Sequence, residues 1–433
     1  MLSLKYCNKT GDKMNKSKLT TCLFGIVMAM NLYYLYLIDY YNTRIFGISM
    51  QDIALAVASL WGAYYWMKLI KLPNPRFRFR GWMFFILIMV LLSTIQSNLL
   101  YGQSMLDGIA PQRWVWIWAL VYFPLRKCIY HKIINSDDFY VMLLAVGVLQ
   151  LILCLLQFFL GDGVLLMHVG RGMRSDRIRY YYDPILLDFL FLLSLDRIVK
   201  CPRIKKAIYM ALAGLILLEV MIIQQFRGTT MGLLVCLCFF SLIHILFMKG
   251  DRKYKVICFA IGGIVVGMAL NTSLMRSALV LIFENRHDIR AVGRELYLQT
   301  FLMHPILGGG YPNTHYGPAM EAATGGNNAI YMSDNGIFGF IYLYGGIGII
   351  WVMSLWRRLF LNGIKIKKCF SELAYLLFPL FLLVVSRNEI HWYWEYGFVI
   401  FSIFLCMEDI RLDEADWISR GQKGKLMEGT KVT

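Results

Sequence analysis

Apolar runs close to the thickness of a hydrocarbon core recur along this chain, and basic connectors separate them. No other feature constrains the fold as much. A backbone in lipid finds no water for its N–H and C=O groups, so a run of about 20 apolar residues closes its hydrogen bonds internally as a helix. The runs lie at about 19–38, 52–72, 82–100, 109–125, 139–160, 184–199, 206–226, 228–248, 256–272, 336–356, 371–387 and 392–408, the fourth and sixth being short. Twelve crossings return both termini to one side, and the connectors 71–80, 126–132, 200–206, 249–255 and 357–368 fall on that side with every lysine. Lysine excess marks the cytoplasmic face, so both termini are expected there, with the protein in the cell (inner) membrane. The first run is longer than a signal-peptide core and ends in Asp39-Tyr40-Tyr41, which reads as an uncleaved span. The expected fold class is all-α integral membrane, about twelve transmembrane helices with one large extracytoplasmic loop. The division is spans 1–9 in 1–270, the loop in 271–335, spans 10–12 in 336–408 and a cytoplasmic tail in 409–433.

Composition agrees: 58% of residues are hydrophobic and 16% charged, where soluble domains run to about a quarter charged. The net charge of +17 sits in short loops beside apolar runs. There it sets orientation and meets anionic headgroups, and nucleic acid is excluded as a partner. All ten cysteines lie in runs or on the lysine side, so the outer loops offer no disulfide framework or CxxC metal site. The clusters Tyr64-Tyr65-Trp66, Trp114–Trp118 and Trp392-Tyr393-Trp394 stand near run ends and read as an interfacial belt rather than sugar-stacking platforms.

The outer face carries no lysine but holds Arg44, Arg113, Arg171, Arg174, Arg177, Arg179, Arg227, Arg276, Arg286, Arg290, Arg294 and Arg387. A guanidinium fork matches phosphate oxygens, so this face is expected to bind an anion. Arg286, Arg290 and Arg294 are spaced i, i+4, i+8 and share one stripe of a helix. Like charges at that spacing need compensation. Glu284, Asp288 and Glu295 supply it in a purely structural reading, and a bound diphosphate supplies it in the functional one. Arg227 lies at a tight turn, Gln224–Thr230, between two apolar runs, where an arginine is costly unless paired, functional or snorkelling; Gly228 is expected to permit the turn. His304-Pro305-Ile306-Leu307-Gly308-Gly309-Gly310 reads as a stop and turn ahead of an anion cradle. Asp334 before the tenth run either caps that helix or serves as a general base.

The chain has no Walker-type loop and no GxSxG, and the Asp137-Asp138 pair lies on the lysine side. No outward DxD-like metal site is visible, and no metal or other cofactor is expected.

These features in this order resemble the bacterial O-antigen ligase and polysaccharide repeat-unit polymerase family. Gln225-Phe226-Arg227-Gly228-Thr229-Thr230 resembles its Ser-Arg-Gly turn. Val292-Gly293-Arg294-Glu295-Leu296-Tyr297 with His304–Gly310 resembles its Gly-Arg…His-Pro-(apolar)₂-Gly-x-Gly stretch in the large loop. Asp334-Asn335-Gly336-Ile337-Phe338-Gly339 and Tyr344-Gly345-Gly346-Ile347-Gly348 resemble the segment that closes the loop. The resemblance implies a GT-C-like glycosyltransferase that takes glycan from undecaprenyl diphosphate at the outer face, by metal-independent inverting transfer. It also implies membrane lipid, a chain-length regulator and a flippase of the same pathway as partners. Arg227 and Arg294 would bind the diphosphate, widened by Arg290 and Arg286, with Arg177, Arg179 and His304 as further anion or glycan contacts. Asp334 would deprotonate or orient the acceptor, with His315 as the alternative. The family's ligases carry histidine, often as His-Asn, where this chain has Asp334-Asn335. The expected product is therefore a polymer for O-antigen, capsule or exopolysaccharide, ahead of ligase transfer to lipid A core or protein. A flippase or other transporter is the alternative of another class. Transporters tend to show two related halves and midplane charges, whereas here the charge concentrates in one outer loop.

Overall fold

The computed structural model describes residues 2–40, 42–161, 164–174, 177–247, 289–327, 329–387, 389–393 and 395–429. The expected ninth span, Arg276 and Arg286 lie outside this set. The described chain is mainly helical: α1 Leu2–Asn31, α2 Met50–Leu69, α3 Arg80–Tyr101, α4 Met105–Ile109, α5 Arg113–Tyr130, α6 Ser136–Leu160, α7 Ile185–Lys200, α8 Arg203–Leu218, α9 Arg227–Phe247, α10 Ile289–Met303, α11 Gly317–Thr324, α12 Ile337–Phe370, α13 Ala374–Val385 and α14 Glu395–Gly429. Two antiparallel strand pairs complete it, β1 Arg44–Ile45 with β2 Ile48–Ser49, and β3 Gly170–Arg174 with β4 Arg177–Tyr181.

Five of these helices are long and apolar enough to cross a membrane: α3, α6, α8 with its extension to Gln224, α9 and α12. Helix α6, for example, turns Leu149, Ile152, Leu156 and Phe159 outward, which suits lipid contact. The chain is thus a multi-pass membrane protein. Helices also stand at the other expected spans within the described residues, and the α5 and α7 runs are helices of 18 and 16 residues.

Two helices form the centre. Residues 185–196 of α7 and 396–409 of α14 are buried on every side, as expected of mainly apolar helices surrounded by others. Around them the aromatic clusters depart from the belt reading. Trp392 and Tyr393 are buried against Phe340 and Trp351, and Trp114 and Trp118 are buried as well. Among the described residues of the clusters only Tyr64 and Trp66 keep substantial exposure, so most of the described aromatic surface fills the core.

At the lysine-side end, connectors that the sequence reading gave to lipid headgroups are gripped by protein. Asp409, Asp413 and Asp416 follow i, i+4, i+7 down one stripe of α14. Arg78 reaches Asp409 at 3.2 Å, Asp413 at 2.8 Å and Asp416 at 2.6 Å. Arg126 joins Asp409 at 3.4 Å and also pairs with Asp413, while the Tyr122 hydroxyl donates to Asp409 at 2.7 Å. The side chains of Arg78, Arg126 and Asp409 are 5%, 2% and 0% exposed, which makes this a dry ionic lock.

Candidate functional site

The site grows from the face that α10 buries. Gly293, Tyr297 and Thr300 recur at i, i+4, i+7 and turn inward, leaving Val292 and Leu298 exposed. Gly293 lets the helix approach closely, since a Cβ there would stand 2.8 Å from Asn335 Nδ2 and displace that side chain. The close approach lays α10 on the Ser333–Asn335 turn, and Tyr297 packs on the ring of Tyr342 at 5.0 Å. Burial first, and the charge of Asp334 second, push the Tyr297 phenol above its ordinary range, so it stays neutral.

That placement sets Arg290 between two carboxylates from separate segments. Its guanidinium donates to Glu389 at 3.2 Å and stands 3.8 Å from Asp334. Glu389 is 7% exposed and Asp334 43%, with Arg290 at 33% between them. The buried acid thus holds the guanidinium, and the wet acid makes the looser contact that an incoming group can replace. Arg294 lies one turn further along the same stripe, about 6 Å on. Asp334 does not cap α12: Gly336 holds the cap position, with no side-chain bond. Gly336 instead fixes the geometry. Its φ is +55°, and a Cβ there would meet the Ser386 carbonyl at 2.2 Å. Ile337 N–H donates to that carbonyl at 2.8 Å, and Ile390 N–H to the Ser333 carbonyl at 3.3 Å, tying the Asp334 and Glu389 segments together.

The glycine run after α10 is a backbone joint between two helices. Gln96 of α3 donates to the Gly308 carbonyl at 3.1 Å, and Ser97 to the Tyr311 carbonyl at 3.0 Å. On the other side Gly309 N–H donates to the Tyr342 carbonyl at 2.7 Å, and Gly346 N–H to the Pro305 carbonyl at 2.8 Å. A Cβ on Gly308 would come within 2.2 Å of the Tyr342 carbonyl oxygen, and one on Gly345 within 2.5 Å of Gly308 N. The run does turn, as expected, and its carbonyls and N–H groups serve packing.

Arg227 is the first residue of α9, where the helix N-terminus favours anions. The preceding turn differs from expectation: Gln225 carries the left-handed conformation, at φ +53° and ψ +34°, after a π-helical turn, while Gly228 is ordinary helix. Arg179 of β4 covers this turn, donating to the Gln224 carbonyl at 2.7 Å and lying over the Phe226 ring at 4.3 Å. The α9 start also adjoins the Glu389 segment. A Cβ on Gly232 would touch Phe381 and Val385 at 2.9 Å, one residue before the Ser386 turn. Arg179, Arg227, Glu389, Arg290 and Asp334 therefore sit along one end of the molecule. Arg177 lies in β4 beside them in sequence, paired in backbone register with Arg174.

The two histidines are placed apart. His304 follows the C-terminal end of α10, about 21 Å along the axis from Arg290. His315 is on a segment bonded to the α3–α4 corner, where Asn313 donates to the Asp107 carbonyl and Tyr316 to the Tyr101 carbonyl, both at 2.9 Å. Glu389 was missed in the sequence, where it stands in an ordinary-looking connector, Ser386-Arg387-Asn388-Glu389. An acid between two apolar runs at the arginine-bearing end was the available signal.

No protein-family model matches the chain, and no curated protein does. Among solved structures it is similar to a chain from a peptidoglycan synthase complex that coordinates polymerization and crosslinking. The likeness has a TM-score of 0.45 at 13% identity and covers 78% of this chain and 99% of that one. It is too slight to rank one activity over another.

Proposed function

We propose that the chain polymerises lipid-diphosphate-linked oligosaccharide repeat units at the arginine-bearing face of the membrane. The observation that carries this reading is Arg290, held by buried Glu389 and only loosely engaged by exposed Asp334, with Arg294 one turn away. In the proposed reaction an acceptor sugar hydroxyl attacks the anomeric carbon of the donor from the face opposite the leaving group. Asp334 takes the hydroxyl proton as the new C–O bond forms. The bond from the anomeric carbon to the phosphate oxygen breaks, and its electron pair leaves with the lipid diphosphate. Arg294, Arg227 and Arg290 meet that developing charge through forked hydrogen bonds. One displacement inverts the anomeric centre. Twelve spans with both termini on the lysine side belong to the same proposal, as do undecaprenyl diphosphate as carrier and a separate partner for chain-length control.

Purified protein in nanodiscs, given undecaprenyl-diphosphate-linked repeat units and no other acceptor, is the test. A ladder of lengthening glycan with free undecaprenyl diphosphate is expected. Transfer only after lipid A core is added replaces polymerase with ligase. Silence in both, with a substrate shown competent elsewhere, overturns the enzyme reading and favours transport.

A further inference from the structure

The sequence Arg76-Phe77-Arg78-Phe79-Arg80 alternates, and its three arginines have different surroundings. Arg78 is drawn inward by the carboxylates of α14, and Phe79 is fully buried beside it. Arg76 and Arg80 are exposed, and among the described residues no carboxylate lies within ion-pair distance of either. Both line the mouth of a cavity of about 940 Å3 between α2, α3 and α5. Its walls are apolar: Trp66, Phe77, Phe84, Leu120 and Phe123. Gly62 and Pro124 also line it, and a Cβ on Gly62 would stand 3.5 Å from Pro124 Cγ, in ordinary contact. Lys127 is buried behind two of the lining residues, donating to Asn74 at 2.9 Å with its ammonium over the Trp66 ring.

The groove runs from the lysine-side connector up the helices, about 10 Å along α2 from Trp66 to Ser59. It is open to the surroundings, since Phe84 and Leu120 are 49% and 43% exposed. An apolar channel in the plane of the lipid tails, capped at headgroup level by two guanidiniums, fits a tail with an anionic head. We propose that it holds one anionic phospholipid of the lysine-side leaflet, with its phosphate between Arg76 and Arg80 and an acyl chain against Leu120 and Phe123. The lipid would fix the 71–80 connector from outside while α14 fixes it from within. The site lies at the opposite end from Arg290 and does not depend on the proposed reaction.

The test is native mass spectrometry of the delipidated full chain with phosphatidylglycerol, phosphatidylcholine of matched chains, or glycerol phosphate alone. Retention of phosphatidylglycerol about twenty-five-fold over phosphatidylcholine is expected, a factor of about five per arginine. The double variant Arg76→Ala, Arg80→Ala should erase that preference, and Leu120→Trp, which fills the groove, should reduce retention of both lipids. Glycerol phosphate should not be retained. Equal retention of the two lipids by the parent, or a preference that survives the double variant, overturns the proposal. So does glycerol phosphate bound as well as the lipid, or full lipid retention by Leu120→Trp.

Discussion

At the lysine-side end an acidic stripe on α14 gathers one arginine from a connector and one from α5; at the other end a basic stripe on α10 gathers carboxylates from two connectors. The pairing chemistry is the same, and solvent access separates them. Arg78 and Arg126 are at most 5% exposed and their central partner Asp409 is fully buried, whereas Arg290 and Asp334 are 33% and 43% exposed. A dry ion cluster loses heavily when one member goes, because the remaining charge is stranded. A half-wet pair exchanges its partner for water or a ligand at small cost. The first arrangement suits a lock and the second a site.

The sharpest way to break this contrast is Asp409→Ala. It strands Arg78 and Arg126, and thermal unfolding in detergent should show a loss of about 3–5 kcal/mol. Turnover per folded molecule should stay near that of the parent; a large fall in turnover with stability intact would mean the lock takes part in the reaction. At the arginine-bearing end, Arg294→Ala and Arg227→Ala should each lower the proposed glycan transfer about a hundredfold to a thousandfold, with membrane insertion unchanged. Arg294→Lys should recover little of that, because an ammonium lacks the fork; full recovery would remove forked binding from the argument. Glu389→Gln should slow transfer about tenfold by loosening Arg290, an effect smaller than loss of the arginine itself.

The smallest effect is a pH dependence at the lock. The hydrogen bond from Lys365 lowers the Asp416 carboxyl to about 2 from its ordinary 3.8, against the opposing effect of burial and with help from Arg78. Since the folded value lies below the unfolded one, this contribution is complete above about pH 4 and is lost as pH falls toward 2. Unfolding followed across that window should show Asp416→Asn flattening part of the parent's acid sensitivity. An unchanged profile would place the acid response elsewhere.

Much of the fold was legible because lipid leaves a backbone few choices. The α3, α6, α9 and α12 runs announce themselves by length and apolarity, and the connectors by their lysines. The aromatic clusters misled because proximity to a run end is a one-dimensional measure. Whether Trp392 meets headgroups or Phe340 depends on which helices flank it. Part of the site was equally legible. Arg290 and Arg294 share a stripe by periodicity alone, and Asp334 stood out at the start of a run. Glu389 did not, since nothing local distinguishes it from any connector acid. The grip on Arg78 was hidden for the same reason, as its partners lie more than three hundred residues away.

The sequence by itself determined a helical membrane protein and the grouping of arginines in segments free of lysine. Those follow from the solvent's demand on each segment and from spacing within one helix. Only the tertiary structure decided which carboxylate meets which arginine, and whether that meeting is dry or wet. It made Gly293, Gly308 and Gly336 points of close backbone approach and gave the left-handed turn to Gln225. Ion-pair strength depends on burial, and burial is a property of neighbours distant in the chain. That is why one cluster of opposite charges is dry and the other stays half exposed.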